Sequence, residues 1–370
     1  MTVRPVIAVL ALGAIAPAAA LAQTSTQPYT PPSTGMSGGA AWTTVDLGTC
    51  SLASGTAVVE PGPAVGCNNS GIQSPGVAVS ALGSVWAAST GGYAPGVATT
   101  YLQAINPTTS QVAPGQMING ITAPQAGVKG GSYLWLTGAS VEAANGKSYA
   151  VAVAVDATGT VRKRFRSSVA GLNAMGQGMA YGAGRVWMAD STGRVYALVP
   201  SSGKRARTIR TPGPRGLAVS GSTLWVTNPS ARTVRVFNTS TGAQRRVIKV
   251  KGSPNAVVSA AGSVWVFSQR YLYRYSPKTL KQTGRYRAPL SQSGWLGAAS
   301  GPGGIWASNY VAQVVRFNTT TRTFDINATW SNGNVAGPLA GAAGALWVPD
   351  GGDSPFPVGH AVTRITPTGS

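Results

Sequence analysis

The chain has 370 residues, with 49 Gly, 25 Pro and a formal net charge of +21 from 29 basic and 8 acidic side chains. Gly and Pro make up about a fifth of it without a collagen triplet, and eight acids cannot lace long helices with ion pairs, so many short strands are expected instead. One His (His360), two Cys (Cys50 and Cys67) and eight carboxylates make a His/Cys zinc site implausible, and a Ser-His-Asp triad would have to run through His360.

Residues 1–22 read as a secretory signal peptide. Arg4 gives the positive start, residues 6–16 the apolar run, and Ala20-Leu21-Ala22 the small-residue site for cleavage before Gln23. Pro17 interrupts the apolar run before it could span a bilayer, and no second run is long enough, so an exported protein of the medium or cell envelope is expected, without a transmembrane segment. Residues 23–40, rich in Pro, Ser, Thr and Gly, read as a flexible tether. Residues 41–47 (AWTTVDL) look like a strand lying ahead of everything that repeats. Export favours a Cys50–Cys67 disulfide over a redox pair, which would use C-x-x-C spacing. Closing that loop contributes roughly 3 kcal/mol in the chain-entropy account.

From there the chain repeats. A Gly-x-aliphatic-Trp phrase or close variant ends at Trp86, Trp135, Trp187, Trp225, Trp265, Trp306 and Trp347, at spacings of 49, 52, 38, 40, 41 and 41 residues. Units of this length built from short strands are the sequence form of propeller blades. The clearest unit divides into strands at 216–220, 223–227, 233–238 and 243–250, separated by Gly-rich turns. A four-stranded sheet cannot bury both of its faces alone, so neighbouring sheets must stack on it, with each Trp as a wedge between them. After Trp347 only one further strand, 361–366, precedes the end of the chain, so the last blade lacks an outer strand. Residues 41–47 are expected to fill that place and remove an open edge. The fold class is thus all-β: over residues 41–370, a seven-bladed β-propeller of four-stranded antiparallel blades, its last blade closed by an N-terminal strand.

The phrase PRGLAVSGSTLWV (214–226), the later V-x-R-[FI] strands, and ALWVPD (345–350) with AVTRITPTG (361–369) resemble the secreted NHL/YVTN-type propellers, most of all the virginiamycin B lyase (streptogramin lyase) group. That resemblance implies a propeller fold and, for the group's activity, ring opening of a cyclic depsipeptide by elimination, with a His base, a nearby Glu and a magnesium ion. In the group a His follows the Pro that opens a blade; here those positions hold Gly76, Arg215 and Asn255, while Asp350 keeps a matching charge. The expected function is therefore non-catalytic binding without a cofactor or a metal. A divergent lyase-like enzyme acting on a cyclic peptide at the central opening is the alternative. The residues three past each Trp (Ser89, Gly138, Asp190, Asn228, Ser268, Asn309 and Asp350) read as turn formers, or else as a polar ring.

Charge is distributed unevenly. Residues 162–287 hold 23 Lys/Arg and a single acid, Asp190, whereas the remainder of the mature chain holds 5 basic and 7 acidic residues. The cations concentrate on expected outer strands: Arg162, Arg164 and Arg166; Arg205, Arg207 and Arg210; Arg245, Arg246 and Lys249; Arg285 and Arg287. Charged edges discourage edge-to-edge aggregation, but that need applies to every blade. A one-sided basic flank points to an anionic polymer or envelope surface as partner, or a protein partner on a propeller face, for a monomer. Reversing Arg162, Arg164, Arg205 and Arg207 is expected to weaken such binding with little effect on stability.

Overall fold

The computed structural model describes residues 33–34, 40–46, 75–94, 97–142, 146–171, 174–289, 294–309, 313–329, 334–335, 338–351 and 361–367. Residues 1–22, read as a signal peptide, and Cys50, Cys67 and His360 lie outside them. Among the described residues every regular element is a strand, and none is a helix long and apolar enough to cross a membrane. Seven antiparallel sheets follow one another along the chain, six of them simple meanders running from inner to outer strand.

Blade seven departs from the meander as expected from sequence. Its strands are Ala340–Ala342, Ala345–Gly351 and Ala361–Pro367, and the outer place is filled by Ala40–Asp46. The closing pair is in continuous antiparallel register from Ala40 opposite Pro367 to Asp46 opposite Ala361. Closure joins both ends of the propeller in one sheet and removes an open edge. Within the segment expected to be a tether, Ser33–Thr34 adds a short fifth strand to blade six, opposite Thr329 and Ala328.

The repeating phrase builds a turn and a wedge together. In Leu82-Gly83, Ala183-Gly184, Ala261-Gly262 and Ala343-Gly344 both residues have positive φ, as a two-residue hairpin turn matching the strand twist requires. A side chain at any of these four glycines would meet nothing within 4 Å, so backbone conformation, not space, selects glycine there. Three residues on, the Trp is buried and turns its indole back: Trp86, Trp187, Trp265 and Trp347 donate from Nε1 to the carbonyls of Ala81, Gly182, Ala260 and Ala342, at 3.0, 3.2, 3.1 and 3.3 Å. Trp306 donates to Pro302 O and Trp225 to Thr223 Oγ1.

Each Trp packs against the following blade. Trp86 meets Leu134 and Leu136, Trp135 meets Val186 and Met188, and Trp187 meets Leu224 and Val226. Trp225 meets Val264 and Val266, Trp265 meets Ile305 and Ala307, and Trp306 meets Leu346 and Val348. Trp347 then packs with Val85 and Ala87 of blade one, closing the ring. Second strands such as Thr223–Asn228 and Ser263–Ser268 are buried along their whole length, since a blade covers each face. Outer strands are covered least, which is where the charge collects.

Candidate functional site

The basic residues lie on the outer strands of four consecutive blades: Val161–Gly171, Arg205–Arg210, Gln244–Lys249 and Gln282–Arg287. An outer strand pairs on one side only, so its side chains stand at the rim where long polar groups remain hydrated. Consecutive blades are neighbours around the ring, so these four strands take successive places along it.

They divide by what they touch. Arg164 reaches back to blade one, donating to Asn119 O at 2.6 Å. Arg207 donates to Thr241 O and to Ser240 O (2.8 Å) of blade four, and Arg246 to Leu280 O (3.1 Å) of blade five. Arg207 stands opposite Ala197, itself opposite Trp187; Arg246 stands likewise behind Val236 and Trp225. Both therefore project to the side where the Trp meets the next blade. These three arginines are brackets between blades, contrary to the expectation that Arg164 and Arg207 are purely surface charges.

Arg162 and Arg166 form ion pairs of 2.6 Å with Asp156 and Glu142, and Arg166 also lies over the Tyr149 ring. Hydrogen bonds from Thr158 and then Arg162 hold the Asp156 carboxyl well below the usual carboxylate range. Both pairs are exposed and contribute little to stability. Arg205, Arg210, Arg245, Lys249, Arg285 and Arg287 are exposed, and among the described residues no carboxylate pairs with them. Arg285 lies 5.2 Å from the centre of the Tyr271 ring. Sequence reasoning on outer strands and the loops after them takes in Lys251 but misses the exposed cations on the turns, Arg232 and Arg270, whose only signal is the same charge asymmetry.

Of the residues three past each Trp, Asp190, Asn228 and Asn309 are turn chemistry, Ser268 ties down the connection at Lys251, and Ser89 and Gly138 lie within strands. Asp190, fully buried, accepts from the backbone N–H of Thr192 (3.0 Å) and Arg194 (2.9 Å) and from the Thr192 hydroxyl. Asn228 accepts from Ala231 N, Asn309 from Gln313 N, and Ser268 donates to Lys251 O. Burial, and then the charge of Asp190, pushes the Tyr196 hydroxyl up to about 12. At the centre, Gly76, Arg215 and Asn255 lie at the inner strands of blades one, four and five. Among the described residues no three of His, Cys, Asp and Glu come together. A magnesium ion needs clustered oxygen donors, and an Arg at one of the group's His positions brings the wrong charge, so the residues described there do not fit that ion.

No protein-family model matches the chain, and no curated protein sequence matches it. Among solved structures it is similar to U3-55K, with a TM-score of 0.60 and 10% identity over 80% of this chain and 95% of that one. It is similar also to the WD40 repeats of RRP9, with a TM-score of 0.61 at the same identity and coverage. At that identity the likeness is one of fold: the chain is a seven-bladed propeller with WD40 propellers as structural neighbours.

Proposed function

We propose that this protein is an exported, non-catalytic binding propeller whose basic flank on blades two to five holds an anionic polymer of its surroundings. The observation carrying this reading is the set of 23 cations against a single, buried acid within residues 162–287, twelve of which fall on the outer strands Val161–Gly171, Arg205–Arg210, Gln244–Lys249 and Gln282–Arg287. Folding alone accounts for some of them: Arg164, Arg207 and Arg246 bracket blades. Arg205, Arg210, Arg245, Lys249 and Arg287 make no such bond, and a polymer neutralised at several such points releases counterions at each. Export rests on residues 1–22 and the Cys50–Cys67 disulfide on that export. The finer kinship with the streptogramin lyase group rests on residues 214–226, 345–350 and 361–369, and its chemistry finds no base at Gly76, Arg215 or Asn255.

A protein partner is the second reading, favoured by the WD40 propellers among the structural neighbours. Retention on immobilised polyphosphate and on an uncharged polymer, washed at graded salt, separates the two. Retention on the anionic matrix alone, lost as salt rises, is the expected result. Equal retention on both, or none on either, would remove the polymer reading.

A further inference from the structure

The free cations of the flank gather at both ends of the outer strands, and the two ends are built differently. The upper end is the one where the turns between second and third strands, and the connections between blades, lie. The last residue of the outer strand there is Asn119 in blade one, Gly171 in blade two, Arg210, Lys249 and Arg287 in blades three to five, Thr329 in blade six and Asp46 in blade seven. Only three consecutive blades present a cation at this position. In each of the three, a backbone hydrogen bond clips the residue that follows to the nearby turn: Thr211 N to Gly193 O, Val250 N to Arg232 O, and Ala288 N to Arg270 O, all at 3.0 Å. The clip places Arg232 one register step from Lys249, whose own partner is Thr233, and Arg270 one step from Arg287, whose own partner is Tyr271. Arg210 and Arg194 are direct register partners. Lys251 is fixed in the same corner, its N–H donating to Tyr273 Oη and its carbonyl accepting from Ser268.

We infer that this upper corner of blades three to five is a row of cation pairs that binds a phosphate-bearing polymer, one blade after another. The inference rests on the polyanion reading above and assigns it a place and a ligand chemistry. Neighbouring like charges repel each other, and an anion relieves that repulsion. In blade three the buried Asp190 of the Arg194 turn already offsets part of it, whereas the turns of blades four and five hold no acid. Five of the seven cations named are arginines, whose planar fork matches the oxygens of a phosphate. The lower end is less regular: Lys204 adjoins Arg205 in blade three and Lys278 and Lys281 share one hairpin loop of blade five, but blade four presents Arg245 at its strand start and Arg162 is already paired with Asp156. A polymer is favoured over a lipid surface because, among the described residues, the corner presents no exposed large apolar side chain to insert. The exposed large hydrophobics among the described residues are Tyr181, at the lower end of blade three, and Val247, in mid-strand.

Two charge-matched variants test this on the full chain, with long-chain inorganic polyphosphate as probe. One carries R210Q, R232Q, K249Q, R270Q and R287Q; the other K204Q, R205Q, R245Q, K278Q and K281Q. The upper variant is expected to lose at least about tenfold in affinity and most of the salt slope, and the lower variant to lose much less. If a fivefold variant fails to fold, the single changes R210Q and K249Q serve, each lowering the slope by about one. Equal losses in the two variants would overturn the corner and leave the polyanion reading standing. No loss in either would overturn both. Equally tight binding of polyglutamate, or of phosphatidylserine vesicles, would overturn the assignment to a phosphate polymer.

Discussion

The guanidinium of Arg316 lies 5.5 Å from the centre of the Trp306 ring. The two are register partners on adjacent strands of blade six, and Arg316 also grips both oxygens of Asp325, at 2.8 and 2.9 Å. Blades five and seven repeat the ring contact through Arg274 on Trp265 and Arg364 on Trp347. Blades one to three place Ala104, Ala154 and Ala197 opposite the Trp, and blade four Val236. The propeller thus has two kinds of wedge, one capped by a small apolar side chain and one by an arginine.

The buried arginine of blade six makes a pH prediction. Burial raises the Asp325 carboxyl, but hydrogen bonds from Arg316 and then Asn318 outweigh it and hold it below its ordinary 3.8. A depressed carboxylate stabilises the fold fully above that ordinary value, and the contribution disappears as pH falls through the lower, folded value. Asp325→Asn, which leaves Arg316 largely buried without its counter-charge, is expected to cost about 3 kcal/mol near neutrality. Denaturant titrations at pH 7 and in the acid range check this: the gap between parent and variant should narrow as the acid range is entered.

The wedge at the closing interface is expected to be costly to remove. Trp347→Ala empties the contact with Val85 and Ala87 and deletes the bond to Ala342 O, so a loss of about 3–5 kcal/mol is expected in urea unfolding.

Closure itself can be tested in two pieces. A protein lacking residues 40–46 exposes the edge of Ala361–Pro367 and is expected to self-associate by light scattering. Adding a synthetic peptide of residues 40–46 should restore the monodisperse form.

Arg207→Met removes two hydrogen bonds to the turn of blade four and is expected to cost about 1–3 kcal/mol, while Arg205→Met should be nearly neutral. Thermal unfolding of the two variants side by side separates a bracket from a solvated charge.

Seven blades were legible because turn and wedge are packed into a few residues: a turn that needs positive φ, and a buried Trp whose indole in five blades reaches back to a carbonyl at the turn. The closing strand was legible by subtraction, since a blade with one strand past its Trp needs another. The brackets were not. Whether an arginine on an outer strand faces solvent or the next blade depends on register across three strands, and outer-strand bulges, such as that at Ala206 opposite Ala197 and Leu198, shift it by one residue. The corner was hidden for the same reason, because the backbone bond between Val250 and Arg232, and not any sequence spacing, sets Arg232 one register step from Lys249.

The central claim is that the basic flank binds a polyanion, and the dependence of polyphosphate affinity on salt measures it most directly. A flank engaging several phosphates at once gives log K falling linearly with log salt, with a slope of several units. That steep line is the predicted result. A flat line, or no binding at low salt, would contradict the claim and leave the cations as solvated surface.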